Sequence, residues 1–305
     1  VKIPSELSVA LSGYWGEVGQ RWLENLADVV TAAEERWRIA IGDPFAPGGY
    51  TSWVAPATSA DGQELVYKCV IPHDEAIGEA KALAAYDGDG AVRLVQSEPD
   101  SFELLLERCR PGRDLWTGTS DRDRLETATH LAQRLWRPVG NSTLMSLRTI
   151  GPRWADVTER RLITHDLPWG SAPLERGAEL LRKLPFDDHD PVLLHGDLHP
   201  GNILASEREP WLVIDPKPMT GEAAYDMAQL LTQHQGRVSE PPPLGEIEER
   251  LAMLSGLVCL GQERVALWSL ARTSEWSMWS FERGAMIDAA IEYSWTRSLD
   301  TIIGN

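Results

Sequence analysis

Basic residues are scarce in this chain. Over 305 residues, Lys and Arg number 29 against 46 Asp and Glu, for a formal charge of −17. That deficit excludes the sequence-independent grip on a phosphate backbone that nucleic-acid binders need. It equally argues against docking on an anionic membrane surface. Cysteine is scarcer still. Cys69, Cys109 and Cys259 lie far apart and form no CxxC pair, which excludes a thiolate metal site and points to a reducing compartment. Long apolar runs are missing too: the best, residues 251–260, stops at ten, against the roughly 18 that a membrane span requires. Near the start, Glu17, Glu24 and Asp28 interrupt the apolar residues, so no secretory signal pattern is read and a cytoplasmic location is expected.

What remains is a globular composition, 43% hydrophobic and 25% charged. The length suffices for two lobes with proper cores. Residues 1–40 read as helix, with Trp15, Val18, Trp22, Leu26 and Val29 recurring at three- and four-residue steps. Pro44 and the Pro47-Gly48-Gly49 run break it. Short strands are expected over residues 50–57, 64–71, 91–96 and 101–108, with one helix from 74 to 86 among them. Beyond Pro111-Gly112 the character turns helical. Ser120 and Asp123 form a capping-box-like start to a helix ending near Pro138. Further helices are expected at 153–163, 174–184, 222–235, 244–260, 262–283 and 285–303. The division is therefore 1–110, leading helices and then a sheet, and 111–305, helical.

Within the helical part lies one compact strand–loop–strand unit at 192–218, VLLHGDLHPGNILASEREPWLVIDPKP. The apolar Val192, Leu193 and Leu194 deliver His195-Gly196-Asp197 into a loop, Asn202 follows five residues after Asp197, and a second strand presents Asp215. Pairing of these two strands would gather three oxygen-bearing side chains. Phosphoryl transfer asks for such groups. Its charged transition state needs a carboxylate beside the acceptor hydroxyl and hard oxygen ligands for Mg²⁺. An H-x-D-x-x-x-x-N run followed by a strand-borne Asp supplies base, first ligand and second ligand in that order. Only eleven residues separate Asp215 from Asp226, too few for a peptide-binding activation segment, so the acceptor should be small.

HGDLHPGNIL with the following IDPKP and GEAAYDMAQLL resembles the aminoglycoside phosphotransferase branch of the protein-kinase-like fold, and within it the streptomycin 6-phosphotransferase and hydroxyurea phosphotransferase family. The resemblance implies an α+β fold, a small antiparallel-sheet N-lobe and a larger helical C-lobe. It makes Asp197 the catalytic base, with Asn202 and Asp215 as Mg²⁺ ligands. His195 would buttress the loop and Asp226 steady it. His199 stands where protein kinases carry a lysine near the γ-phosphate, a place where packing or exposure is the more common outcome.

In the first lobe the resemblance makes Lys68, mid-strand in LVYKCV, the nucleotide-anchoring lysine. Val66 and Val70 on its own face suggest burial, and a buried ammonium needs a partner. Glu79, eleven residues on, matches the family step on a helix capped by Asp74; Glu75 is the fallback. Glu107 and Cys109, in the connector after the last strand, mark the hinge whose main chain would meet adenine. The loop at 46–52, APGGYTS, is the candidate for covering the phosphates, although a plain hairpin turn reads equally well.

The cofactors implied are ATP and Mg²⁺. The partner implied is a cationic amino sugar or aminoglycoside such as streptomycin, with antibiotic resistance as the associated role. Hydroxyurea or another small acceptor is the alternative, and a silent nucleotide-binding module the alternative of a different class. Trp268, Arg272, Glu275 and Trp279 share a helix face suited to a guanidinium or ammonium, though tryptophans at this spacing are more often core. Oligomeric state is not written in the sequence, and a monomer is compatible with it.

Overall fold

The computed structural model describes residues 1–98, 100, 102–140, 142–234, 237–238 and 240–304, the side chains of 233–239 apart. The chain divides into two compact units, Val1–Gly112 with Ala205–Leu212, and Arg113–Leu204 with Val213–Asn305.

The first unit opens with α1 (Ser5–Tyr14) and α2 (Gly16–Trp37), so the helix expected over 1–40 is two. The break falls at Gly16, whose φ of +52° takes the chain out of the right-handed region, and Arg38 at +53° ends α2. Five strands follow: β1 (Ile39–Ile41), β2 (Ser52–Ser59), β3 (Glu64–Val70), β4 (Leu94–Glu98) and β5 (Glu103–Glu107). Ser101, at the start of the last expected strand, lies outside the described residues. All neighbours pair antiparallel in the order β1-β2-β3-β5-β4.

Alternation along β3 separates two environments. Leu65, Tyr67 and Cys69 enter a core with Trp53, Ala55, Ala57 and Leu105, completed by Leu7 and Leu11 of α1 and Leu26, Val30 and Ala33 of α2. Lys68 falls in the opposite register. The helix expected from Asp74 resolves into a 3-10 turn, Asp74–Gly78, and then α3 (Glu79–Tyr86). Asp74 makes no cap: the cap position is His73, without a side-chain bond.

The hairpin segment 205–212 belongs to this unit although it comes late in sequence. Arg208 donates to the carbonyls of Gly88 (2.7 Å) and Ala91 (2.9 Å) and grips Glu107 through both carboxylate oxygens, at 2.7 and 2.9 Å. A single boundary at 110 therefore does not describe the division of the chain.

The second unit is built on helices. These are α4 (Asp121–Leu135), α5 (Leu147–Thr164), α6 (Ala172–Lys183), α7 (Met227–Thr232), α8 (Leu244–Val258), α9 (Gln262–Glu282) and α10 (Met286–Gly304). Ser120 caps α4 as its motif predicts, accepting from the Asp123 N–H at 3.1 Å. Helix α5 starts six residues before its expected position. Ser146 caps it, and Pro152 sits inside it, beside a Gly151 whose added Cβ would lie 2.6 Å from the Leu181 carbonyl oxygen. The helix expected over 222–235 is a 3-10 turn, Ala223–Asp226, followed by short α7; Gln235 lies outside the described residues.

Short strands carry the loop of interest: β6 (Met145–Ser146), β7 (Val192–Leu194), β8 (Ile203–Ala205), β9 (Trp211–Val213) and β10 (Met219–Gly221). The strands flanking the motif do not pair with each other, contrary to the strand–loop–strand reading. β7 pairs antiparallel with β10, and β9 with β8. The apolar pattern identifies both strands but not their partners, because each apolar face can be buried against either neighbour.

Candidate active site

Asp226 fixes the loop that β7 delivers. Its carboxylate accepts from the backbone N–H of His195 (3.0 Å) and Gly196 (2.9 Å) and from the Trp136 indole (3.0 Å). Gly196 has φ +80°, and a Cβ there would lie 2.0 Å from the Lys217 carbonyl oxygen, so only glycine fits. His195 is fully buried. Its Nδ1 accepts from the Asp197 N–H at 3.2 Å, which leaves Nε2–H to donate to the Ile214 carbonyl at 3.0 Å. This is the neutral tautomer. Burial pushes the imidazolium down against the attraction of Asp226 and Asp197. Two further backbone bonds, Ile214 N–H to the Asn202 carbonyl (2.9 Å) and Lys217 N–H to the His195 carbonyl (2.8 Å), bring the segment bearing Asp215 against the loop.

Asp197 emerges from this frame with both oxygens engaged. Lys217 Nζ donates to Oδ2 at 2.6 Å and Gln229 Nε2 to Oδ1 at 2.7 Å. Burial alone would raise the carboxyl; the Lys217 charge and the bonds from Lys217 and Gln229 outweigh it and hold the group well below the usual carboxylate range. Asn202 is buried and donates Nδ2 to the Asp197 carbonyl at 3.0 Å. Its amide oxygen is the end not spent on that bond. Asp215 takes a φ of +56° directly before Pro216, where a non-glycine residue is doubly disfavoured. Such a conformation persists only where its surroundings impose it, and here the bonds at Ile214 and Lys217 do so.

His199 supplies no cation. Its Nδ1 accepts from the Gly201 N–H at 3.1 Å, and Nε2 stands 4.0 Å from Asp197 Oδ1, beyond hydrogen-bond range. Lys217 and Gln229 escaped the sequence reading. What the sequence showed of Lys217 was only a cation between Pro216 and Pro218, two residues past Asp215. Gln229, three residues past Asp226, had none.

In the first unit, Lys68 is 5% and Glu79 3% exposed, and Nζ donates to the two carboxylate oxygens at 2.6 and 2.8 Å. Glu79 is the first residue of α3, where the helix N-terminus favours negative charge. Glu107 ends β5 with its carboxylate held by Arg208 and by the Arg93 N–H at 3.0 Å. Cys109 is buried, and its thiol is pushed up to about 11, by burial first and then by the Glu107 charge. The loop at 46–52 joins β1 to β2, with Gly48 at φ +83°.

The α9 face does not form one open surface. Trp268 is fully buried and donates to Glu222 at 2.6 Å. Arg272 is buried against the Tyr225, Trp276 and Trp154 rings, at 4.5, 4.4 and 5.4 Å. Glu275 stands 3.9 Å from Arg161, and Trp279, the exposed member, lies 4.2 Å from the Arg283 guanidinium.

Among the described residues no group of three or more His, Cys, Asp or Glu side chains forms a metal cage. One carboxylate and one amide oxygen, the pair offered by Asp215 and Asn202, suit Mg²⁺, which keeps waters and phosphate oxygens for the rest of its shell. The residues fit the ion.

A family profile described as aminoglycoside/hydroxyurea antibiotic resistance kinase matches residues 36–284. The hydroxyurea phosphotransferase of Kitasatospora aureofaciens is 36% identical over 298 residues, covering 93% of this chain and 82% of that protein. The streptomycin 6-kinase of Streptomyces glaucescens is 31% identical over 303 residues, covering 95% and 94%. Among solved structures, a choline kinase from Streptococcus pneumoniae superposes with a TM-score of 0.63 at 13% identity, covering 91% of this chain and 99% of that one. The aminoglycoside phosphotransferase APH(4)-Ia gives 0.60 at 14% identity, covering 90% and 99%. These two likenesses show the α+β kinase-like fold. By the family match and by identity along nearly its whole length, the chain belongs to the aminoglycoside/hydroxyurea antibiotic resistance kinases and is a phosphotransferase.

Proposed function

We propose that this phosphotransferase moves the γ-phosphoryl of ATP, with Mg²⁺, to a hydroxyl of a small molecule of the streptomycin class. The observation that carries the reading is the Asp197 carboxylate, ionised and held by Lys217 and Gln229 in a loop clamped by Asp226. Asp197 is the base. It orients the acceptor hydroxyl and takes its proton as the oxygen bonds to the γ-phosphorus and the bond to the β-phosphate oxygen breaks, releasing ADP. Lys68, steadied by Glu79, is the anchor for the α- and β-phosphates. The hinge at Glu107 and Cys109 meets adenine through its main chain, since the Glu107 side chain is committed to Arg208. Asn202 and Asp215 would hold the metal, which when bound would neutralise phosphate oxygens. Lys68, Asp197 and Asp215, the three residues whose loss would mark a silent nucleotide-binding module, are all present, which argues against that reading.

Hydroxyurea is the second reading. It is favoured by the 36% identity to a hydroxyurea phosphotransferase, against 31% to a streptomycin 6-kinase. ADP release coupled to NADH oxidation, measured with streptomycin, other aminoglycosides, hydroxyurea, glucosamine and no acceptor, separates them. Turnover confined to streptomycin is expected; turnover confined to hydroxyurea installs the second reading. In either case Asp197→Asn should lower kcat by about 10²–10⁴, the usual worth of a positioned acid–base group. A fully active Asp197→Asn variant would overturn the assignment of the base.

A further inference from the structure

Loose phosphoryl-transfer transition states carry their charge on the equatorial oxygens of the moving group, and enzymes of this chemistry place a cation there. Of the two histidines in the base loop, His195 is buried with its ring spent on the Ile214 carbonyl and the Asp197 N–H, and His199 is disqualified because an Nδ1 that accepts from the Gly201 N–H bears no proton. A cation nevertheless stands at the base. Lys217 Nζ lies 2.6 Å from Asp197 Oδ2. It comes from the segment after Asp215, not from the loop.

Three features make this placement a built one. The Lys217 N–H donates to the His195 carbonyl at 2.8 Å. Its carbonyl oxygen closes over Gly196, where a Cβ would approach to 2.0 Å. Pro216 and Pro218 on either side fix the neighbouring φ angles. The backbone of Lys217 is thus tied to the two residues preceding the base. Its side chain is 32% exposed, against 16% for that of Asp197.

We propose that Lys217 is a catalytic residue of the transfer, its ammonium contacting a γ-phosphoryl oxygen as the acceptor oxygen bonds to phosphorus. The inference rests on Asp197 being the base. An acceptor hydroxyl hydrogen-bonded to that carboxylate and aligned about 3–3.5 Å from the phosphorus brings the phosphoryl oxygens within reach of a flexible lysine stem bonded to the same carboxylate. In the resting protein the ammonium is paired with Asp197. As the phosphoryl moves it shares its donors between the carboxylate and the incoming oxygens, while the acceptor proton passes to Asp197 and ADP leaves.

Lys217→Met, Lys217→Gln and Lys217→Arg, with Asp197→Asn alongside, test this through kcat and KM for Mg-ATP. Streptomycin and hydroxyurea serve as acceptors, and water (the slow hydrolysis of ATP) serves if neither is phosphorylated. Lys217→Met should lose about 10²-fold in kcat, the scale of one transition-state charge donor. KM for ATP should stay within about threefold, as expected when uniform binding is untouched. Lys217→Arg should recover at least a tenth of the parent rate. A purely structural lysine would instead lower the melting temperature and show no such rescue. If Lys217→Met does not fold, Lys217→Gln carries the same expectation. Near-parental kcat in a folded Met or Gln variant, or an Arg variant no better than Met, overturns the role of Lys217 while an inactive Asp197→Asn leaves the base assignment standing. An active Asp197→Asn overturns both.

Discussion

A lysine and a glutamate that are 5% and 3% exposed and bonded to each other pose a thermodynamic question. Burying both charges costs about as much as their attraction returns, whereas leaving one buried alone costs about 3–5 kcal/mol. Lys68→Met and Glu79→Leu should each destabilise the protein by about that amount in urea unfolding, and the double variant should return to within about 1 kcal/mol of the parent. Mg-ATP should raise the melting temperature of the parent and leave that of all three variants unmoved. A double variant as unstable as either single one would make the pair structural instead. The burial of Lys68 was legible in the sequence because a strand lysine with apolar neighbours two residues either side advertises it, while the choice of Glu79 over Glu75 came from the eleven-residue step that the family resemblance implies. Lys217 was not legible. Its contact with Asp197 depends on the backbone bond to His195, and no periodicity reports a bond between irregular segments.

Elements were easier to find than their partners. The apolar spacing located α6, α9 and α10 to within two residues of their observed ends, yet nothing in it said which faces meet. α6 meets α9 at Gly177, where an added Cβ would lie 1.9 Å from Ser274 Oγ and 2.3 Å from Ser274 Cβ. Ser274 is fully buried, with its hydroxyl donating to the Leu270 carbonyl at 2.7 Å, so it has no room to withdraw. On an exposed helix Gly→Ala stabilises by about 1 kcal/mol. At Gly177 the sign should reverse, to a loss of about 1–3 kcal/mol from overpacking. Ser274→Gly in the same chain should recover part of it, a coupling of about 0.5–3 kcal/mol in a double-mutant cycle. Strictly additive changes would mean that the two helices separate at this point at no cost. The two strands flanking the base loop were found by the same apolar logic and wrongly paired by it. Three-residue strands have too few side chains to specify a register, and β10, the true partner of β7, carries only Met219, Thr220 and Gly221.

A molecule with a formal charge of −17 gains repulsion as pH rises, and one buried acid adds to that trend. Glu292 on α10 is 7% exposed, and its Oε2 has no hydrogen-bond partner among the described residues. Burial, more than the nearby charges of Glu275 and Asp288, raises its carboxyl to about 8 against the bond from Ser280. The neighbouring Glu275 stands 3.9 Å from Arg161 of α5, which bonds Glu282 at 2.7 Å. Between pH 4.5 and about 8 the folded chain therefore keeps a proton at Glu292 that the unfolded chain has released. Unfolding then releases a proton, and stability falls as pH rises through that window, by on the order of a few kcal/mol in all. Glu292→Gln keeps the shape and the neutral form, so it should match the parent near pH 5. By pH 8.5 it should unfold at a higher temperature, with a shift of several degrees set by the size of the two-unit chain. Repulsion from the remaining carboxylates acts on both proteins alike, so the difference between their melting temperatures across pH isolates the single group. Parallel melting curves from pH 5 to 9 would mean that Glu292 is ionised in the folded protein, and that the region between α9 and α10 admits water or a cation.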